Sequence, residues 1–533
     1  MSGWNFADVW ETVAEALPDA QAQVQGKRRL TWAETDRRAN GVAAALIDLG
    51  VGHQDKVAQY LYNGPEYMES MFAAYKAGLV PVNTNYRYGD DELLYLWDNA
   101  DAVAVVFHGA FTERIEPLRP RLPKVKGWLW VDDGNGPCPA WATPYEEAAE
   151  SHPQRTSGSW GRSGDDLYML YTGGTTGMPK GVMWRQDDIY MTLAAQGANR
   201  DPDSGLDGLR QSLTQPGLVG MPACPLMHGT GAMSSMSAMC GGGSVVTLEG
   251  RSFDVEELLD TIQAERVNSL AIVGDTFAKP MLAALDANPG RWDISSLVLI
   301  VSSGVMWSEA TKQGLLKHHA GMLLADAFSS SEALGMGSSI SSAGGTSATA
   351  KFRLGENARV ITEDGRDVEP GSGETGMVAV KGRVPVGYYK DEEKSARTFR
   401  VIDGERYSIP GDFAMVEADG TLKLLGRGSV CINTGGEKVY PEEVEEAIKE
   451  HPSVADAVAV GVPDDRFGET ICAMVQAKAG QEVDESAIIA HVKTKLASYK
   501  APKRVLAIDT VGRGPNGKVD YKRLRDEAIS RVG

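Results

Sequence analysis

The residues from Asp166 to Val182 constrain this chain more than any others. Asp166 to Tyr171 is a short apolar run that reads as a buried strand. Thr172, Gly173, Gly174, Thr175, Thr176 and Gly177 follow without a break, and then Met178, Pro179, Lys180 and Gly181. Glycines let backbone N–H groups turn inward without steric cost, and the threonine hydroxyls add further donors. Such a loop wraps a phosphate chain, and Lys180 can set a positive charge against it. The common P-loop needs a lysine directly after glycine and before serine or threonine. Here Lys180 stands between Pro179 and Gly181, so that pattern fails.

The chain on either side alternates strand and helix. Arg37 to Leu49 has helical periodicity closed by Gly50, and Asp55 to Leu61 is strand-like. Glu66 to Lys76 is again helical, and Leu79 to Asn83, Ala102 to Phe107 and Gly127 to Val131 read as strands. This rhythm gives βαβ units, a mostly parallel sheet and an α/β fold class. Residues 197–217 and 338–350, rich in small and polar residues, read as loops.

With 533 residues the chain is long enough for a large core and at least one further domain. The net charge of −19 excludes a general nucleic-acid binder, which needs a basic face, but a pocket can be locally positive on an acidic protein. The five cysteines are scattered and form no CxxC pair, so neither a disulfide framework nor a zinc site is expected. No apolar run is long enough to span a membrane, and the N-terminal residues lack a signal segment. A cytoplasmic enzyme is the expectation.

The stretch Thr172 to Gly181 resembles the phosphate-loop signature of the adenylate-forming (AMP-binding) enzymes, which include the acyl-CoA synthetases. Other segments resemble that family in the same order: Tyr75 to Asn83, the Ser302 to Val305 turn, Asp326 to Glu332, Tyr407 to Asp412, and Gly426-Arg427. Where many members carry Thr-His, this chain has Trp184-Arg185, a form similar to a bacterial subgroup of fatty-acid and steroid side-chain CoA ligases. The resemblance implies a nucleotide site with Thr172, Gly173, Gly174, Thr175, Thr176, Gly177 and Lys180 on the phosphates. It also implies Ser303 and Gly304 along the adenine and acyl group, Asp326 and Phe328 at the adenine, and Ser331 near phosphate. Asp412 and Arg427 would hold the ribose, and Thr175 and Glu332 a Mg²⁺ ion. His228, Gly229, Gly231 and Ser303 would line the acyl pocket, His228 facing the carboxylate. Asp275 reads as a helix N-cap.

A second, mobile α+β domain is expected over 429–533, after a large domain over 1–428, with Ser429 as the hinge. In the family likeness Gly435, Gly436 and Glu437 serve the CoA step, and Lys518 is the lysine that bridges α-phosphate and carboxylate. The implied catalytic set is therefore Lys518, Glu332, His228 and Thr175. The implied partners are a small hydrophobic carboxylic acid, ATP and CoA, with no nucleic acid and no membrane span; homo-oligomerisation is compatible with this. Two other readings stand beside an acyl-CoA ligase. One is an adenylate-forming enzyme that delivers its acyl group to an amine or a carrier protein, disfavoured because no carrier segment follows residue 533. The other is a non-catalytic nucleotide-binding protein.

Overall fold

A computed structural model describes residues 3–172, 178–195, 201–434, 437–464, 467–496, 498–514 and 517–532, without the side chains of Arg427, Ser429, Asn433, Glu437 and Lys438. The large domain is built on two sheets with helices between them and on both outer faces. One sheet has eight strands, and its centre is parallel: Leu167–Thr172, Val80–Asn83, Lys56–Tyr60, Ala102–His108 and Gly127–Val131 lie in that spatial order. These strands are buried on both faces, which explains their continuous apolar runs. Lys180–Arg185 turns back antiparallel to Leu167–Thr172, so that Thr172 faces Lys180 across the mouth of the intervening loop.

The other sheet has fifteen strands. Gln21–Gln25, Ser244–Thr247, Val219–Pro222, Ser269–Ile272, Leu299–Ser303 and Leu323–Ser330 are parallel. Ala333–Ser341 and the strands after it are antiparallel. Between the sheets lie Phe6–Ala16, Trp32–Asp48, Pro65–Lys76 and Gly229–Cys240, whose apolar faces form the largest core cluster. The helix Trp32–Asp48 begins with a reciprocal cap: the Thr31 hydroxyl accepts from the Glu34 amide and the Glu34 carboxylate accepts from the Thr31 amide.

Two expected loops are partly ordered as regular structure. Residues 205–212 form a helix, Gly205–Ser212, held to the first helix by the Arg210–Glu15 ion pair. Ser338 to Ser341 continue the strand Ala333–Ser341 and pair with Leu324 to Ala327 of the neighbouring strand, with Ser339 and Ser341 turned inward and Ser338 and Ile340 outward. The small domain has a five-stranded sheet flanked by Pro441–Lys449, Glu485–Lys495 and Tyr521–Val532. Its first strand, Ile432–Thr434, starts five residues after the large sheet's strand Thr421–Arg427 ends.

Candidate active site

Parallel strands present their carboxyl ends to a crevice, and ligands of open α/β sheets bind there. Ser269–Ile272, Leu299–Ser303 and Leu323–Ser330 end side by side, with Ile272 beside Ser302 and Ser303 beside Ala327. The chain leaves Ser303 through Gly304 at φ +94, a left-handed conformation that a side chain would strain. A methyl group built on Gly304 would lie 3.8 Å from Val273 Cγ1 and 4.0 Å from Thr230 Oγ1. The strand ends therefore face the N-terminus of the helix Gly229–Cys240 across a narrow gap.

His228 is the N-cap of that helix, but its imidazole makes no capping hydrogen bond. Burial, then the positive charges of Lys518 and Arg87, push its pKa down to about 4. The imidazole is thus neutral near pH 7. Lys518 comes from the small domain, more than two hundred residues away in sequence, and its charge acts on His228 because the loop before it enters the crevice. Gly517, at φ +69, packs so closely on Val305 that any side chain there would overlap it, and a methyl group would lie 3.1 Å from Val273 Cγ1. Lys518, His228, Ser303 and Gly304 thus share one crevice.

Glu332 is buried in the turn between Leu323–Ser330 and Ala333–Ser341. Its Oε1 accepts from the Tyr388 hydroxyl at 2.8 Å and its carbonyl from the Ser408 hydroxyl at 2.6 Å. The neighbouring Ser331 carbonyl accepts from the indole of fully buried Trp184 at 2.9 Å. Tyr388 and Trp184 belong to the eight-stranded sheet, Tyr388 directly beside Val182. The turn carrying Glu332 is therefore fixed to the strand that begins with Lys180. Lys180 pairs with Asp391, the N-cap of Glu392–Thr398, and that contact holds the Asp391 carboxyl below its ordinary range.

Asp326 is buried, and Lys312 Nζ lies 3.2 Å from its Oδ2. Burial outweighs the lysine and raises the Asp326 pKa to about 6, with the charge of Asp275 adding to the rise. Phe328 follows on the same face of the strand, its ring 5.4 Å from Phe352. Asp412 opens its strand directly opposite Arg427 on the next one. Gly173 to Gly177, including Thr175 and Thr176, lie outside the described residues, as do Gly435, Gly436 and the side chains of Arg427, Ser429 and Glu437.

Gly231 makes a close backbone contact: a methyl group there would sit 2.6 Å from the Pro225 carbonyl oxygen. One expectation is corrected. Asp275 is not an N-cap of its own helix, whose cap is Val273. Its Oδ1 instead accepts from the amide and hydroxyl of Ser308, both at 3.1 Å, and so steadies the start of the next helix. Lys312 and Thr230 carried no motif that would have singled them out, and the Trp184-Arg185 pair gave no sign of the contact Trp184 makes with Ser331.

Comparisons with known proteins agree with this geometry. The AMP-binding enzyme model matches residues 10–389, and the AMP-binding enzyme C-terminal domain matches 443–518. The chain belongs to the AMP-binding enzyme family. It is 41% identical over 99% of its length to a medium/long-chain-fatty-acid–CoA/3-oxocholest-4-en-26-oate–CoA ligase of Mycolicibacterium smegmatis, covering 97% of that protein. It is 40% identical to a 3-oxocholest-4-en-26-oate–CoA ligase of Rhodococcus rhodochrous, over 98% of this chain and 96% of that one. Among solved structures, an anthranilate CoA ligase in complex with anthranoyl-AMP superposes with a TM-score of 0.85 at 22% identity, over 100% of this chain and 98% of that one. That likeness concerns the fold.

Three outcomes follow from this site. In a proton NMR titration, Lys518→Ala should raise the His228 pKa, because one of the two cations depressing it is gone. An unchanged value would place Lys518 away from His228 in solution. Gly231→Ala should destabilise the protein by about 1–3 kcal/mol in thermal unfolding, whereas Thr230→Phe should fold and narrow the range of acids accepted. Lys312→Met leaves Asp326 buried without its cation. A carboxyl whose folded pKa is raised favours the fold while protonated and loses that contribution as pH rises through about 6. The variant's loss of stability should therefore be small near pH 5 and reach about 3–5 kcal/mol near pH 8, read from melting curves at the two pH values.

Proposed function

We propose that this protein is an acyl-CoA ligase that activates a hydrophobic carboxylic acid, of the fatty-acid or steroid side-chain type, through an acyl-AMP. The observation that carries the reading is the meeting of Lys518 with His228 and the strand ends at Gly304. The acid class is supported by relatives named for fatty acids and 3-oxocholest-4-en-26-oate at about 40% identity over the full length.

A carboxylate is a poor electrophile. In the first step its oxygen attacks the α-phosphorus of ATP, the bond to the bridging oxygen breaks, and pyrophosphate leaves. In the second step the CoA sulfur, having lost its proton, attacks the acyl carbonyl, and AMP leaves with the electron pair of the broken C–O bond. Phosphoryl transfer of this kind depends on positioning and charge neutralisation. Lys518 supplies a cation for the charge that builds on the α-phosphate and the carboxylate. The neutral imidazole of His228 can meet the carboxylate without repelling Lys518. Lys180 would exchange Asp391 for the β- and γ-phosphates, with the backbone and hydroxyls of Thr172 to Gly177 around them. Asp326 and Phe328 would take the adenine side, Ser331 the phosphate, and Asp412 with Arg427 the ribose.

Glu332 fits a Mg²⁺ site: it is a buried hard-oxygen ligand, oriented by Tyr388, and Mg²⁺ commonly takes one or two carboxylates with substrate phosphates. Thr175 would be its partner. The ion would neutralise phosphate charge. For thioester formation the small domain, 429–533, would turn about Ser429 and bring Gly435, Gly436 and Glu437 to the crevice.

Acid-dependent exchange of labelled pyrophosphate into ATP, without thiol, tests the first step. Fatty and steroid side-chain acids should support it and CoA should then release AMP. Exchange without CoA-dependent release would favour an amine or carrier-protein acceptor, and no exchange with any acid would favour a non-enzyme. Lys518→Ala should slow acyl-AMP formation about a hundred- to a thousandfold and spare thioester formation from supplied acyl-AMP. Ser429→Pro should do the reverse, because proline fixes φ where the swing needs freedom. Equal losses in both steps would remove the domain-alternation reading.

A further inference from the structure

The loop that delivers Lys518 runs through Gly514, Pro515, Asn516 and Gly517. Its described ends are closed by two backbone bonds, Gly514 N–H to the Lys518 carbonyl and Gly517 N–H to the Gly514 carbonyl, both 2.8 Å. A side chain adds a third tie. Arg513 Nη1 donates to the Gly517 carbonyl at 3.1 Å, the peptide that joins Gly517 to Lys518. The same guanidinium is clamped by Asp456 on the strand Val454–Asp464, Nε to Oδ2 at 2.6 Å and Nη2 to Oδ1 at 2.9 Å.

This clamp is well shielded. Arg513 and Asp456 are only 18% and 21% exposed, so the pair is screened less than a surface salt bridge. Burial alone would raise the Asp456 pKa, but its contacts with Arg513 hold it below the ordinary value. The acidic group on the other flank is Glu445 of the helix Pro441–Lys449, which accepts from Tyr521 Oη at 2.9 Å and Ala459 N–H at 3.0 Å. The fork geometry of arginine is what the arrangement uses: two nitrogens face one carboxylate while a third faces a carbonyl. A lysine can keep the charge but not all three directions.

We propose that Arg513 is a positioning residue for acyl-AMP formation, acting through Lys518: it transmits the rigidity of the strand Val454–Asp464 to the Gly517–Lys518 peptide. This rests on the reading of Lys518 as the lysine of the adenylation step. A displacement of about 1 Å in a transition-state contact is enough to cost about a hundredfold in rate. Losing the clamp therefore harms the step in which Lys518 sits in the crevice and leaves the other step alone.

The experiment compares Arg513→Lys, Asp456→Asn, Lys518→Ala and the Arg513→Lys/Lys518→Ala double variant in the full-length protein. Pyrophosphate exchange, thioester formation from supplied acyl-AMP, and melting temperature are measured for each. Arg513→Lys and Asp456→Asn should lower the maximal exchange rate about ten- to a hundredfold, with thioester formation within about twofold of the parent. The double variant should exchange no more slowly than Lys518→Ala alone, because a residue acting through Lys518 has nothing left to position. Three results would overturn the proposal: exchange by Arg513→Lys at the parental rate, equal losses in both half-reactions with a lowered melting temperature, or a double variant slower than Lys518→Ala by the full Arg513→Lys factor. If Lys518→Ala itself exchanges normally, the reading of Lys518 fails, and the proposal fails with it. If only Arg513→Lys is normal, the proposal fails alone.

Discussion

The indole N–H of Trp184 and the hydroxyl of Tyr388 both end on the Ser331–Glu332 turn, and both come from the sheet that does not contain that turn. Packed helices and apolar contact set the spacing of the two sheets but not their register, and other hydrogen bonds, such as Gln25 Nε2 to the Asn63 carbonyl and Asn83 Nδ2 to the Met227 carbonyl, also cross between them. Hydrogen bonds from fully or nearly fully buried donors do set it, since an indole N–H left unpaired in the interior would lose about 1–3 kcal/mol. Because Trp184 lies four residues after Lys180 on the same strand, fixing Trp184 to Ser331 also fixes where Lys180 starts relative to Glu332. The proposed phosphate cation and the proposed metal carboxylate are thereby set from two sheets by one turn.

Charge within the crevice is arranged against the charge of the whole. The chain carries −19, yet two cations, Lys518 and Arg87, meet at His228 in the proposed ligand region. Lys518 and Arg87 are close enough to depress His228, which keeps that side chain neutral and avoids a third positive charge in the crevice. Deeper in, Lys312 and Asp326 form a pair whose carboxyl still titrates high, because removal from water costs it more than the lysine returns. Electrostatics of the outer surface and of the site are independent here, as expected where low-dielectric walls separate them.

Much of this was legible in the sequence, and the reasons are physical. The central strands announced themselves because burial on both faces demands unbroken apolar runs, as in Ala102–His108. Residues whose chemistry is unusual in a loop, such as Lys180 and Lys518, stood out by their glycine and proline surroundings. Small residues such as Gly231 signal two opposite things, space for a ligand or close backbone approach, and the Pro225 carbonyl packed against it left no sign in the sequence. Partnerships of distant residues left no trace in the order of the chain: Trp184 with Ser331 is separated by 147 positions and Arg513 with Asp456 by 57. The helix at 205–212 was hidden by its many small and polar residues, since Leu206, Leu209 and Leu213 pack through tertiary contact rather than propensity.

The contact through which the small domain enters the crevice is made by a residue with no side chain. Gly517 lies against Val305 and Val273, and no larger residue would fit at that separation. The consequence runs in two directions. Close approach lets the lysine that follows reach His228's surroundings from a separate domain. Yet a glycine buries almost no apolar area of its own, and hydrophobic stabilisation scales with area. The loop is therefore placed accurately while gaining little from being there, and it can leave without unpacking a core. Accuracy must then come from within the small domain, which is where the Asp456–Arg513 clamp and the buried Glu445–Tyr521 contact lie. The proposed alternation of the small domain would need this division: rigid with respect to its own domain, weakly held by the one it visits.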